Sequence, residues 1–182
     1  MGQYYRAIFL SQSGEIVAWF SPHDYDLSAT MMAHAWIGTK YMYAVENYMR
    51  DNTGKGLTLA WAGDYGAPEP DINLYHKCDE LPELKIDDYS TAFTDNYKYI
   101  VNHDKKVFVN KMKTQGRDEG CNAGYMIHPL PLLTYESAGG GGGDYCGHNE
   151  CDLGLWARCC LTIEADCPGD DYTEYVSEFR EE

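Results

Sequence analysis

The sequence predicts an α+β fold, in which a mainly antiparallel sheet is packed by one principal helix and connected by long irregular loops. Short runs rich in aromatic and β-branched residues recur along the chain, and several pairs of them are separated only by turn-forming residues, which favours hairpins. One stretch, residues 39–50, has the apolar spacing of a longer amphipathic helix. We expect the 182 residues to form a single domain.

The chain opens with a predicted β-hairpin. Residues 4–10 and 15–20 are short runs of aromatic and branched side chains, and residues 11–14 between them read Ser-Gln-Ser-Gly. Serine and glycine favour turns, because the hydroxyl bonds nearby backbone and glycine tolerates a positive φ. The first two strands are therefore expected to pair antiparallel.

Helical spacing begins after Ser28. A short helix is expected there, ended or bent by Gly38. In residues 39–50 apolar side chains recur at positions i, i+3, i+4, i+7 and i+8, which gives one apolar stripe that can lie on a sheet. Thr39 is a suitable N-cap for this principal helix, and the Asn-Thr-Gly sequence at 52–54 is a suitable stop.

The middle of the chain predicts a buried strand, a surface excursion and a second hairpin. Residues 57–62 are an apolar run that ends at a Gly-Asp-Tyr-Gly turn. Prolines and acidic residues make about 67–96 irregular, but a segment of that length is expected to contain some short element. Residues 97–101 and 106–110 are two strand-like runs that flank a polar turn.

The last third of the chain centres on residues 127–158. The apolar run 126–134 is predicted to be extended, with its two prolines at an edge or a bulge. Five consecutive glycines follow at 139–143, and a last strand is predicted over 156–164. After it, the acidic tail is expected to form a short helix or to fray. Two strands would thus hold a glycine loop, of the kind that ligands and partners approach closely.

The chain is strongly acidic and rich in tyrosine. Its formal net charge is −15, from 29 acidic and 14 basic side chains. Direct binding of nucleic acid is not expected, because phosphate contacts need clustered Lys and Arg. The acidity serves solubility, or else attraction to a partner protein with a basic surface. The 16 tyrosines fit half-buried sheet faces and binding surfaces better than a dry core.

The N-terminal residues and the cysteines predict a cytoplasmic protein. The chain begins Met-Gly-Gln-Tyr-Tyr-Arg, without the apolar stretch of a signal peptide or the Ser/Thr of a myristoylation site. No apolar run approaches the roughly 20 residues of a membrane-spanning helix, so no membrane association is expected. The seven cysteines are an odd number and are expected to stay reduced.

A structural zinc site is the alternative to a chain without cofactors. Cys146, His148 and Cys151 could supply three of the four soft ligands that zinc needs, and further cysteines follow at 159, 160 and 167. This spacing is not that of a standard zinc module. Buried free cysteines on the last strand and an exposed loop histidine explain the same residues, and no cofactor is expected.

Asp64 and Tyr65 are the first candidate binding residues. They follow the predicted strand 57–62 behind a glycine, and loops after strand ends often carry binding or catalytic carboxylates. The alternative is that Asp64 only accepts hydrogen bonds from backbone N–H groups of a turn.

The other candidate binding residues surround the glycine run. They are His128, Glu136, Asp144, Tyr145 and Arg158. The glycines match neither a P-loop nor a dinucleotide fingerprint, and Arg158 is the only base close to them. The remaining histidines occur singly and are interpreted as structural or surface residues; His34, beside Trp36, is the first to inspect.

Seven short motifs follow one another along nearly the whole chain, at residues 1–5, 34–38, 61–65, 99–106, 127–133, 141–145 and 156–158. Taken together, they resemble a family of small bacterial and phage proteins of no established activity. In the family a basic residue follows the glycine segment, where this chain has Cys146, which weighs against a zinc site that relies on Cys146. The resemblance implies a phage or mobile-element setting, in which small acidic proteins block host factors.

Two functions remain open from the sequence. The leading hypothesis is a non-enzymatic acidic protein, encoded by a phage, that binds and inhibits a host protein of defence or nucleic-acid handling. Its expected surface combines the Asp64-Tyr65 turn with the loop from Glu136 to Tyr145. The alternative is a small-molecule or nucleotide binder, or a hydrolase, with its site around Asp64, His128, Asp144 and Arg158.

Overall fold

The computed structural model describes residues 3–87, 96–114, 124–137 and 152–177, and it confirms the α+β fold. The strands are β1 (Tyr5–Leu10), β2 (Ile16–Phe20), β3 (Thr58–Gly63), β4 (Tyr99–Asn102), β5 (Val107–Asn110), β6 (Tyr135–Glu136), β7 (Leu161–Glu164) and β8 (Thr173–Glu174). The α-helices are α1 (Met31–His34), α2 (Lys40–Asp51), α3 (Leu74–Lys77) and α4 (Pro129–Leu133). Short 3-10 helices lie at Pro22–Tyr25, Cys78–Glu80 and Lys111–Lys113.

The strands form two four-stranded sheets, each antiparallel except at one edge. The first sheet has the order β2-β1-β3-β6, and the second has the order β7-β4-β5-β8. The hairpins β1–β2 and β4–β5 confirm the two predicted from the sequence. The edge strands β6 and β8 run parallel to β3 and β5.

Helix α2 is the principal helix, as its apolar spacing predicts. The Thr39 side chain accepts a hydrogen bond from the backbone N–H of Met42 at 3.2 Å, which caps the first turn. The helix ends at Asp51, and Tyr41, Val45 and Met49 of its apolar stripe are buried. They pack into one apolar cluster with side chains from both sheets, so α2 joins the sheets.

The first sheet is buried on both faces. Tyr5, Ala7 and Phe9 of β1 face the main apolar cluster, while Ile8 and Leu10 belong to a second cluster on the other face. The second cluster is closed by Leu74 and Cys78, which come from the segment predicted to be irregular. Helix α3 and the following 3-10 helix are the short elements expected in that segment.

The predicted extended run at 126–134 is wrong beyond its first residues. Ile127 forms an isolated bridge with Trp36, and the next residues form helix α4. The His128 side chain accepts from the backbone N–H of Leu130, and Pro129 occupies the first helical turn. Proline suits that position because its fixed φ is helical and its missing N–H has no partner there.

The strand predicted over 156–164 is also corrected. Residues 153–158 form turns that bury Trp156, and β7 begins only at Leu161. The acidic tail contains the edge strand β8, whereas the sequence predicts a short helix or a frayed end there. Cys159 and Cys160 are partly buried and precede β7, so the interpretation of buried cysteines on the last strand is wrong.

Candidate functional site at the end of the first sheet

Strands β3 and β6 bring two predicted binding positions to one edge of the first sheet. The parallel pair aligns Trp61 with Tyr135 and Ala62 with Glu136. Because parallel strands end at the same edge, the Asp64-Tyr65 turn that follows β3 lies beside Glu136. The sequence predicts that this turn combines with the loop from Glu136 to Tyr145, and of that loop the structure describes Glu136 and Ser137.

Close backbone packing fixes this edge. At Gly63 an added Cβ would lie 2.6 Å from Nε2 of Gln3 and 2.9 Å from Oγ of Ser137. At Gly154 it would lie only 2.6 Å from the carbonyl oxygen of Tyr135, and its φ of +73° is in the left-handed region. Glycine is therefore required at Gly154 both by space and by backbone conformation.

Arg158 crosses from the turn before β7 to this edge. Its backbone N–H donates to the carbonyl of Leu59 at 2.8 Å, and its φ is +60°, which is uncommon for a residue with a side chain. The guanidinium forms a two-pronged ion pair with Glu136, with Nε–Oε2 2.8 Å and Nη2–Oε1 2.5 Å. Nη2 also contacts Oε1 of Glu69.

We call Asp64, Tyr65, Glu69, Glu136 and Arg158 the strand-end cluster. The hydrogen bond to Glu136 raises the pKa of Arg158 above its ordinary value, with Glu69 adding to the effect. The guanidinium is therefore charged and already engaged by two carboxylates, although the side chain is 37% exposed. Lys77 lies 4.0 Å from Glu69 on its other side. The carboxylates outnumber the bases, so the cluster attracts cations rather than anions.

Asp64 has a structural part in this cluster. Its Oδ1 accepts from the backbone N–H of Tyr4 at 3.1 Å, and its own N–H donates to the Tyr4 carbonyl at 3.0 Å. The amide of Asn73 donates to the Asp64 carbonyl at 2.7 Å. The carboxylate thus accepts from a backbone N–H just before β1 and not from its own turn, so Asp64 is structural in a way that the turn-capping interpretation does not describe. Tyr65 beside it is 46% exposed and available to a partner.

His128 lies away from the strand-end cluster, in a buried charged group. Its Nε2–H donates to Oε1 of Glu46 at 2.9 Å, and Nζ of Lys111 lies 2.5 Å from the same oxygen. All three side chains are fully buried. The other carboxylate oxygen, Oε2 of Glu46, has no hydrogen-bond partner within the described part of the chain. His128 thus cannot meet a ligand that approaches Arg158 from solvent.

The protonation of the buried group follows from its contacts. Burial would raise the pKa of Glu46, but the hydrogen bond from His128 and the charge of Lys111 outweigh burial, so the pKa lies below its ordinary value. Burial lowers the pKa of His128 despite the bond to Glu46. A neutral His128, accepting from Leu130 and donating to Glu46, fits both directions. The ion pair of Glu46 with Lys111 is then balanced.

His34 is a structural histidine. Its ring is buried against Trp61, whose Nε1–H donates to Nε2 of His34 at 2.9 Å. Nδ1 of His34 donates to the carbonyl of Ser28 at 3.2 Å. Both ring nitrogens are thus used by the neutral form, and burial lowers the pKa of His34 to about 4.

We expect the protein to lose stability as the pH falls from 7 to 5. His34 and His128 have lowered pKa values in the folded chain, so they bind protons more readily when unfolded. Their contribution is complete above the unfolded pKa of about 6.5 and is lost as the pH falls towards the folded pKa. For His34 the loss is about 2 kcal/mol at pH 5. Urea unfolding of the reduced protein at both pH values measures the loss, with His34→Gln as the comparison. If the free energy of unfolding of that variant fell as much between pH 7 and pH 5 as that of the wild type, the loss could not be assigned to His34.

Several predicted residues lie outside the described part of the chain. These are the glycine run and the residues Asp144, Tyr145, Cys146, His148 and Cys151. Within the described residues, no group of three or more His, Cys, Asp or Glu side chains could hold a metal ion. The zinc hypothesis therefore remains a prediction about residues that the structure does not describe.

Two participants were not anticipated from the sequence. Glu69 lies between two prolines in an irregular segment, and nothing local indicates that it reaches Arg158. Glu46 lies beside the apolar stripe of α2, where a charged side chain is ordinarily solvated. Only the fold shows that Lys111 and His128 close over it.

No family of known sequences, no curated protein and no solved structure matches this chain. In the described ranges, none of the helices combines the length and the apolar character needed to cross a membrane.

Proposed function

We propose that this is a non-enzymatic acidic interaction protein, which binds a partner protein through a basic surface on that partner. The observation that supports it is one surface, formed by the strand-end cluster together with the rest of residues 64–87. We call residues 64–87 the acidic segment. This segment has seven carboxylates and two lysines, and its Tyr65, Ile72 and Leu81 are exposed. Exposed apolar side chains among carboxylates suit a partner that is both basic and partly apolar.

Contacts from the first sheet anchor the acidic segment at Tyr75, Asp79 and Leu81. The guanidinium of Arg6 lies between the rings of Trp19 and Tyr75, 4.6 Å and 4.1 Å from their centroids. Arg6 also donates to Oδ1 of Asp79 at 2.7 Å, and Nε1 of Trp19 donates to the carbonyl of Leu81 at 3.3 Å. A surface fixed before binding loses less conformational entropy when a partner docks.

The partner class rests on charge and on the resemblance to bacterial and phage proteins. A protein that handles nucleic acid carries the basic groove that an acidic surface complements. We extend the proposal to inhibition of a host protein of that kind, or of a defence protein, in the bacterial cytoplasm. Occupation of the basic groove would then exclude the nucleic acid.

A nucleotide or small-molecule site at the same residues is less well supported. Its base, Arg158, is engaged by Glu136 and Glu69, so it has little capacity left for a phosphate. Its histidine, His128, is buried with Glu46. Phosphate binding would also place an anion among carboxylates, which costs electrostatic energy.

The proposal predicts salt-sensitive capture of a partner that depends on the acidic segment. The wild-type chain, immobilised and incubated with bacterial lysate at low salt, should retain a protein that about 0.5 M salt releases. Asp71→Asn combined with Glu80→Gln should lose most of this capture, because both exposed carboxylates lie in the acidic segment.

Asp166→Asn combined with Asp170→Asn is the matched control, since it removes two exposed charges before β8. It should capture like the wild type. Equal losses in both double variants would show a dependence on net charge alone and contradict a defined surface. Capture that survives high salt would contradict the proposal that the partner is bound by electrostatic attraction.

A further inference from the structure

A second feature of the molecule is a pocket at the opposite end of β3 from the strand-end cluster. It has a volume of about 370 Å³ and opens between the C-terminal end of α2, the start of β3 and β7. Its apolar wall includes Phe9, Met49, Leu57, Leu59 and Leu161. Small-molecule sites have volumes of roughly 300–1,000 Å³ and mostly apolar walls with a few polar groups. The pocket therefore has the size and lining for a compact ligand.

One side of the pocket carries an ordered chain of hydrogen bonds. Nζ of Lys106 donates to the Tyr172 hydroxyl at 3.1 Å, and that hydroxyl lies 2.9 Å from Nδ1 of His103. Nε2 of His103 lies 2.7 Å from Oγ1 of Thr162, which donates to Oε1 of Glu164 at 2.8 Å. An ammonium group only donates and a carboxylate only accepts. With a neutral His103, every bond in the chain therefore points towards Glu164.

Glu164 is the group that this chain leaves able to bind a ligand. Among the contacts of the described residues, only its Oε1 is engaged, and the side chain is 37% exposed. His103 and Thr162 use their polar atoms within the chain of bonds. Glu164 thus presents a carboxylate oxygen, an acceptor with negative charge, beside apolar walls.

The charges around the pocket favour a cation. Asp104 lies nearby, where its carboxylate accepts from the backbone N–H of Cys160 at 2.8 Å. On the helix side, Lys55 is exposed and donates to the Asn52 side chain at 2.7 Å. The chain as a whole carries −15. This negative field would repel an anionic ligand and attract a protonated amine.

We infer that this pocket binds a compact apolar amine, with its apolar body against Leu57, Leu59 and Leu161 and its ammonium group on Glu164. The inference is independent of the proposed partner surface, because β3 separates the two sites. Loss of partner binding would leave amine binding unchanged, and loss of amine binding would leave partner binding unchanged.

The inference is tested with three probes of nearly equal size: 2-phenylethylamine, 2-phenylethanol and 3-phenylpropionate. Each is titrated into the full chain while backbone amide shifts are followed by NMR. The amine should shift resonances of pocket residues such as Gly54 and Leu57, and bind about fivefold more tightly than the alcohol, as expected for one partly exposed ion pair. The acid should bind more weakly than both. Equal affinities for all three probes, or no shifts at the pocket, would overturn the inference.

Variants separate the pocket from other sites. Glu164→Gln should weaken the amine about fivefold and leave the alcohol unchanged, while Glu80→Gln, the same chemical change on the acidic segment, should alter neither. Leu57→Trp should abolish binding of both by filling the pocket, with the NMR spectrum reporting whether the chain is folded. If Leu57→Trp does not fold, the comparison of the two glutamine variants still decides. Amine binding that survives Glu164→Gln would overturn the proposed role of Glu164.

Discussion

Lys111→Met is expected to lower the free energy of unfolding by about 3–5 kcal/mol. The ammonium group of Lys111 lies 2.5 Å from Oε1 of Glu46, and both side chains are fully buried. Methionine is close in size but has no charge, so Glu46 would be left as a buried anion without its counter-charge. The hydrogen bond from His128 would remain, and it does not replace the lost charge while His128 is neutral. Chemical unfolding monitored by circular dichroism measures the loss.

Two further variants identify the cause of the expected loss. Lys113 lies only two residues after Lys111, but it is exposed and pairs with Glu174. Lys113→Met should therefore have little effect on the free energy of unfolding. Glu46→Gln combined with Lys111→Met removes both buried charges and should recover much of the stability, because the glutamine oxygen can still accept from His128. A double variant as unstable as the two single changes added together would show that Glu46 and Lys111 are not coupled.

The buried charged group also explains how distant parts of the chain meet. Glu46 comes from α2, Lys111 follows β5 of the second sheet, and His128 caps α4. A shift of any of the three would leave a polar group buried without a partner. The group therefore acts against alternative arrangements of α2 and the second sheet, in addition to the apolar packing.

Local patterns predicted most of the fold because those elements are determined locally. The apolar stripe and Thr39 cap define α2, and runs of branched side chains around turns define both hairpins. The extended segment predicted at residues 129–133 is wrong, because two prolines in an apolar run fit an edge strand as well as a first helical turn. The choice depends on His128, whose ring accepts from Leu130 and begins α4.

The candidate site was predicted in part for the same reason. Asp64 and Tyr65 follow the end of β3, which a sequence pattern can locate. Glu136 lies in the short strand β6, which the sequence does not predict, and the parallel pair β3–β6 places it beside them. The pairing of Arg158 with Glu69 spans 89 residues and depends on a left-handed residue in a turn. His128 was assigned to the site although it is buried, because a sequence shows a residue type and not its exposure.

Gly154→Ala is expected to destabilise the chain by about 2–4 kcal/mol, and to disturb the strand-end cluster. The added methyl group would lie 2.6 Å from the carbonyl oxygen of Tyr135, which belongs to the backbone and cannot rotate away. Gly154 also has a φ of +73° and donates its N–H to the carbonyl of Leu132 at 2.8 Å. Relief of the contact would move the turn that carries Arg158 away from β6. Glu136 would then lose its two-pronged ion pair, so capture of the partner should fall with the stability.

Gly169→Ala is the matched comparison, because the added methyl group meets no heavy atom within 4 Å and the glycine is not in the left-handed region. It should be neutral, or stabilising by up to about 1 kcal/mol through the unfolded chain. Thermal and urea unfolding of both variants compare them directly, and partner capture below the unfolding midpoint separates the local effect from global loss of structure. A Gly154→Ala chain with wild-type stability would show that β6 and the Arg158 turn do not pack as closely as described. One that is destabilised but captures normally would show that the Arg158 pairing is not needed to present the acidic surface.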